Sequence, residues 1–304
     1  MRIVIAGGSG FIGKPLSEFL VRRGHDVVIL TRKSGTGRNR EGLSFVQWLT
    51  PGAVPENDIK HADALINLAG ESINHGRWSS NHQKRIYDSR IVATEELIRI
   101  LAALPQKPSV LINASAIGLY PPSNEAVYTE ASEKIGEDFL ARTVRDWETK
   151  AKQAETFGIR TVLMRFGVVL GKEGVLPLIS LPYRLFVGGT IGSGEQWVSW
   201  IHISDAVRAV AFALEKEELN GPVNVTAPSP VRMKDFGKTI GSVLHRPHWL
   251  PFPVFAMKGL LGKKSALVLE GQCVLPHALQ SAGFDFQFPT LEATLKELLH
   301  SLLQ

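Results

Sequence analysis

The segment GGSGFIG places glycines at positions 7, 10 and 13. That spacing suits the holding of a pyrophosphate. A glycine at 7 permits a tight turn, one at 10 lets a phosphate chain approach the backbone, and one at 13 allows a helix to pack closely on its strand. The amides of Phe11 and Ile12 then open that helix, and the helix dipole favours an anion at this end. A glycine triplet alone is also compatible with a ligand-free turn, and its place between a strand and a helix is what gives it meaning. The end of the next strand reads LTRKSG. A dinucleotide site that bonds a free ribose 2′-hydroxyl carries Asp or Glu about 20 residues beyond the glycines. Thr31, Arg32 and Lys33 stand there instead. Arg32 can grip a 2′-phosphate bidentately, with Lys33 adding charge and Thr31 a hydroxyl. The two basic residues are also compatible with ordinary surface charge, but the missing acid argues against NAD, and the expected cofactor is NADP(H).

These residues need a frame. RIVIAG reads as a short β-branched strand, FIGKPLSEFLVRRG as a helix ending at Gly24, and HDVVILTR as a buried strand. The pattern recurs in ADALINLAG, a helix from about Asn81 to Leu104, SVLINASA, a helix through Trp147, and RTVLMRFG. Pro105 and Pro108 mark the break before SVLINASA. Strands alternating with helices predict an α/β fold, a doubly wound parallel sheet covered on both faces. Beyond about Leu170 glycine and proline concentrate, which predicts a smaller loop-rich C-terminal lobe. The expected division is residues 1–170 for the nucleotide-binding domain and 171–304 for a substrate or lid lobe, with 200–227 returning to the first.

The chain has 304 residues, 44% of them hydrophobic, enough to fill such a core. Its one cysteine, Cys273, cannot pair internally and reads as a small core residue in a reducing compartment. A strand starting at Arg2 leaves no room for a leader, and no run of 18 apolar residues spans a membrane. The expectation is a soluble cytoplasmic protein with no membrane partner. The net charge of +5 comes from scattered residues, so nucleic acid is not expected as a partner either. An unidentified small-molecule substrate is, and the oligomeric state is left open.

The motifs together resemble those of the extended short-chain dehydrogenase/reductases, the epimerase/dehydratase-like group. More narrowly, the chain is similar to an atypical branch labelled "epimerase family protein" and sometimes "cell-division inhibitor". The similarity rests on GGSGFIG, NLAGESI at 67–73, SRIVAT at 89–94, DFLARTVRDWE, RFGVVLG, WIHISD and LVLEGQCVLP at 267–276. It covers nearly the whole chain. The resemblance implies a Rossmann fold in which Asn67, Leu68, Ala69 and Gly70 line the adenosine and ribose side. It also implies that the backbone at Val168 and Val169 passes beside the nicotinamide. Arg90 either reaches the cofactor from below or makes an ion pair on its helix.

The same resemblance raises a chemical difficulty. Hydride transfer to a carbonyl needs a proton donor, and this superfamily uses a Tyr activated by a Lys four residues on, with a Ser positioning the substrate. No lysine here has a tyrosine four residues before it. The helix that should carry the pair offers Leu140 and Val144, or Phe139 and Thr143 in the neighbouring register. Ser115 in NASAIGLY keeps the position of the substrate-contacting hydroxyl, although a plain strand-end hydroxyl is equally compatible. Tyr120 is the nearest phenol, a candidate donor or a packing residue on a loop, and without a lysine its pKa would stay near about 10. His202 is a candidate proton carrier by residue type but stands where a helix capped by Ser204 or Asp205 begins, so it reads as structural. Glu71 follows the cofactor-lining strand as a possible base or a partner of backbone amides, and Tyr183 to Trp200 reads as a pocket wall. Two functions remain: an NADP-dependent oxidoreductase or epimerase with a rearranged proton donor, or a non-catalytic protein that holds NADP(H) as a sensor or structural element.

Overall fold

The computed structural model describes residues 1–33, 41–74, 76 and 78–300. β1 (Arg2–Ala6) is a buried β-branched run. It leads through the glycine turn into α1 (Gly13–Arg22), which buries Leu16 and Leu20. Gly24, with φ of 81°, reverses the chain into β2 (Asp26–Thr31). β3 (Leu43–Gln47) and the short α2 (Pro55–Ile59) precede β4 (Ala64–Asn67). α3 (Ser80–Ala103) is capped by Ser79, whose hydroxyl accepts from the His82 amide. β5 (Val110–Ala116) follows, then the two-residue β6 (Val127–Tyr128). α4 (Phe139–Ala151) is capped by Asp138, which accepts from the amides of Leu140 and Ala141 at 2.7 and 2.9 Å.

β7 (Arg160–Phe166) and β8 (Val168–Leu170) lead to α5 (Leu176–Arg184). After β9 (Trp197–Val198) and β10 (Trp200–His202), α6 (Ile203–Glu215) returns beneath the sheet and β11 (Gly221–Val225) pairs with β7. The main sheet is parallel, in the order β11-β7-β5-β4-β1-β2-β3. Its strands alternate between two cores. Ile3, Ile5, Val27 and Ile29 pack with Leu16 and Leu20 of α1 and with α6, while Val4, Ala6, Val28 and Leu30 pack with Leu97, Ile100 and Leu101 of α3. This is the two-faced burial that makes parallel strands continuous apolar runs. β3 has a weak alternation of its own and is defined by its register with β2.

The remaining elements are small: β12 (Val231–Arg232), α7 (Met233–Leu244), α8 (Val254–Leu261), α9 (Ala266–Leu269), β13 (Cys273–Val274), α10 (His277–Ser281) and α11 (Leu291–His300). β12 pairs with β9, β10 with β8, and β13 with β6. A third core of Leu176, Tyr183, Trp200, Phe236, Ile240 and Leu295 holds α5, α7 and α11 together. Cys273 is buried in β13. The strand order reverses between β1 and β4, and in such sheets ligands bind outside the carboxyl ends of the strands at that switch point.

Candidate functional site

Gly7 follows β1 and Leu68 follows β4, so the switch point is where these two chain segments meet. A Cβ on Gly7 would lie 2.7 Å from the carbonyl of Leu68, and its φ of 79° is one that side chains rarely adopt. A Cβ on Gly13 would lie 2.1 Å from the carbonyl oxygen of Gly7, so the helix can start this close only with glycine there. Gly10 differs. It is exposed, and a Cβ would meet only the Gly7 oxygen, at 3.2 Å. The amides of Phe11 and Ile12 donate to no group among the described residues. The turn therefore offers free backbone donors at the start of α1 over a glycine with open space above it, an arrangement suited to a phosphate.

The ring of Phe11 turns away to the other side. A Cβ on Gly171 or Gly174 would come within 2.9 or 3.1 Å of it, so the glycines after β8 make room for the ring. A cavity of about 300 Å³ opens beside it, with Ser9, Gly10 and Lys14 on one wall and Lys172, His202 and Glu297 on others. At the end of β2, Arg32 and Lys33 are exposed, and the Lys33 amide donates to the Thr31 hydroxyl at 3.2 Å.

The apolar runs of β4 and β5 stop at two fully buried asparagines, Asn67 at the end of β4 and Asn113 midway along β5. Asn67 Nδ2 donates to Asn113 Oδ1 at 2.7 Å and to Thr94 Oγ1 at 3.0 Å, and Asn67 Oδ1 accepts from the Ala69 amide at 3.1 Å. The side chain of Asn67 is thus consumed in shaping the 67–70 turn, leaving the backbone of Leu68, Ala69 and Gly70 as the surface there. Trp147 Nε1 also donates to Thr94. Arg90 Nη1 donates to the carbonyls of Glu71 and Ile86 at 3.1 and 2.9 Å, and its guanidinium lies 5.2 Å from the Trp147 ring centroid. Burial pushes this guanidinium down to about 10, with Glu71 opposing. A Cβ on Gly70 would sit 3.2 Å from Arg90 Cζ, so Arg90 supports the turn from beneath.

Ser115 ends β5. Its hydroxyl donates to Glu148 of α4 at 2.5 Å. Glu148 is gripped bidentately by Arg165 of β7, at 2.8 and 2.9 Å. Arg165 also donates to the Tyr120 hydroxyl at 2.8 Å, and that hydroxyl shares its proton between Thr129 O and Asn224 Oδ1, each at 3.0 Å. Burial alone would lower the Arg165 guanidinium, but its bonds to Glu148 outweigh this and raise it. Tyr120 is fully buried and stacked on Tyr128 at 5.1 Å. Burial pushes its phenol up, against the pull of Arg165. Tyr120 is thus enclosed by protein, with its hydroxyl bonded to Arg165, Thr129 and Asn224. Val144 is buried, Leu140 is half-buried with its Cβ beside Gly118, and Thr143 donates to the Phe139 carbonyl. Neither register of α4 presents an acid.

Comparison with known proteins bears on the family and the fold. The sequence model of the NAD dependent epimerase/dehydratase family matches residues 3–226. The chain belongs to that family. Residues 252–298 match a second family described only as a domain of unknown function, DUF1731. The epimerase family protein YfhF of Bacillus subtilis is 47% identical over 299 residues, covering 98% of each chain. Among solved structures, human epimerase family protein SDR39U1 with NADPH superposes with a TM-score of 0.88 at 35% identity, covering 99% of each chain. The nucleoside-diphosphate sugar epimerase of Corynebacterium glutamicum gives 0.77 at 30% identity, covering 98% of this chain and 58% of that one.

Other candidates in this epimerase/dehydratase-family chain find different places from those their sequence context suggests. His202, and not Ser204 or Asp205, caps α6: its Nδ1 accepts from the Ser204 amide at 3.0 Å, Nε2 faces Glu297 at 3.0 Å, and the ring stacks on Phe288. Asp205 instead accepts from the amides of Gln287 and Phe288. Glu71 pairs with Arg85 at 3.1 Å. Tyr183 and Trp200, read as pocket wall, are buried in the lobe core, and burial pushes Tyr183 up to about 12. Glu148, Arg165, Asn113 and Thr94 were not singled out by sequence. Their one available signal was polarity within otherwise apolar segments.

Proposed function

We propose that the chain binds NADP(H) in preference to NAD(H), with the pyrophosphate on the turn at Gly10 to Gly13 and the 2′-phosphate at Arg32 and Lys33. The observation that carries the preference is the exposed basic pair at the end of β2, where a carboxylate would select the free hydroxyl. The NADPH in the human SDR39U1 structure supports the same reading. The nicotinamide would then reach toward Ser115 and the backbone of Val168 and Val169, and when bound it supplies a hydride donor or acceptor. As an oxidoreductase or epimerase acting on a small-molecule substrate, the protein would need a proton donor other than Tyr120. The apolar pair Leu140 and Val144 favours a second reading, a non-catalytic protein that uses bound NADP(H) structurally or as a signal.

Calorimetric titration with both cofactors tests the preference. NADPH should bind more tightly than NADH, and Arg32→Ala should weaken NADPH by about tenfold while changing NADH little, the amount expected for one partly screened charge-assisted contact. Equal affinities in the unsubstituted protein would remove the basis of the proposal.

A further inference from the structure

Two stretches of the C-terminal lobe contain no acidic residue. Residues 174–194 and 236–269 lack Asp and Glu altogether, while Arg184, Lys238, Arg246, Lys258, Lys263 and Lys264 fall within them. The fold lays the two side by side. The amides of Trp249 and Leu250 donate to Gly188 O at 3.0 and 3.2 Å, the Phe252 amide donates to Thr190 O at 2.8 Å, and Trp249 Nε1 donates to Phe186 O at 2.9 Å.

The face so formed is apolar and open. α5 buries Leu176, Ser180 and Tyr183, yet Leu178, Leu181 and the following Leu185 lie at helical spacing on its outer side and are 60%, 46% and 62% exposed. Phe186 is 54% exposed, Trp249 65% and Phe255, on α8, 78%. The Phe186 backbone is left-handed, with φ of 62°, a conformation a bulky residue adopts only under constraint. Arg246 sits over the Phe186 ring at 4.4 Å. Apolar side chains clustered in this way on a monomer's surface mark a contact with something else.

Charge decides what that something is. A second copy docking face to face would set these basic residues against their own counterparts, which costs association. A bilayer bearing anionic headgroups supplies both an apolar layer for Trp, Phe and Leu and negative charge for the Lys and Arg around them. We propose that this face docks on an anionic lipid bilayer, with Trp249 and Phe255 entering the interface while Arg184, Arg246, Lys258 and Lys263 meet the headgroups. Among the described residues no helix is long and apolar enough to cross a membrane, so the contact is peripheral and lies in the plane of the surface. The expectation of no membrane partner rested on the lack of a spanning run, which a surface contact does not require.

The test is sedimentation of the full chain with vesicles of phosphatidylcholine alone and of phosphatidylcholine mixed with phosphatidylglycerol. The protein should pellet with the mixed vesicles and far less with the neutral ones, and added salt should release it. The double variant Trp249→Ser, Phe255→Ser should lose about tenfold or more of this partitioning. The pair Arg246→Glu, Lys258→Glu should abolish the preference for phosphatidylglycerol. All four positions lie outside the nucleotide site, so NADPH affinity and melting temperature should hold in both variants and show that they are folded. Equal pelleting by the unsubstituted protein and the Trp249, Phe255 variant would overturn the proposal. So would a failure to bind vesicles joined to a concentration-dependent dimer that this variant abolishes in sedimentation velocity, which would assign the face to a second copy.

Discussion

Gly10 and Gly13 stand three positions apart and are glycine for opposite reasons. At 13 the protein itself forbids a side chain, because Gly7 O occupies the space. At 10 the protein leaves the space nearly empty, and only a ligand would fill it. Gly10→Val should therefore leave the ligand-free melting temperature within a few degrees of its starting value. It should also abolish the rise that added NADPH produces by mass action. An unchanged rise would move the site elsewhere. The tight glycine turn was legible in the sequence because its geometry depends on neighbours within the same strand–turn–helix unit. Tyr120 was not: the partners that hold its hydroxyl, Arg165, Thr129 and Asn224, come from three separate segments. Ser115 was legible only as a position, since the acceptor of its proton, Glu148, lies a whole helix away.

Among the elements, α4 carries the consequence for chemistry. Its cap, Asp138, and its inward Val144 and Trp147 follow from local pattern, and the helix falls where the apolar spacing predicts. The cap of α6 was misread because Asp205, a residue that usually caps, is drawn to the amides of Gln287 and Phe288, which only the folded chain brings near. The edge strand β3 was missed since its pairing, more than its pattern, defines it. For α4 the expected outcome is slow or absent NADPH oxidation against a panel of simple aldehydes and ketones, followed at 340 nm. Leu140→Tyr with Val144→Lys should raise that rate. The buried ammonium at 144 should meanwhile cost several kcal/mol of stability, visible as a lower melting temperature. Brisk turnover by the unsubstituted protein would show that another group supplies the proton and would retire the non-catalytic reading.

For the molecule as a whole, the sheet and its two cores were legible from strand–helix alternation, whereas the lobe was legible only as a change of texture. Its short strands pair with partners far off in sequence, as β13 does with β6. Its packing also hinges on single polar contacts. His248 lies between Tyr183 and Thr190, at 2.9 and 3.0 Å, and burial, with Lys238 adding to it, pushes the imidazole below its usual 6.5. A depressed folded value means that the unfolded chain binds the proton more readily, so this contribution to stability is complete above about 6.5 and is lost as pH falls through the folded value. Thermal melts should show a lower melting temperature at pH 5.5 than at 7.5, and His248→Asn should shrink the difference. An undiminished difference would place the acid sensitivity in other groups. The ring of Phe11, seated against Gly171 and Gly174, ties the glycine turn to the segment after β8, about half the chain away. The ring thus sets a condition on one of these glycines that it does not set on the other. With an aromatic at 11, a side chain at 171 is admitted only once the ring has been traded for something smaller, whereas 174 is held to glycine by its left-handed backbone, with φ of 83°, whatever stands at 11.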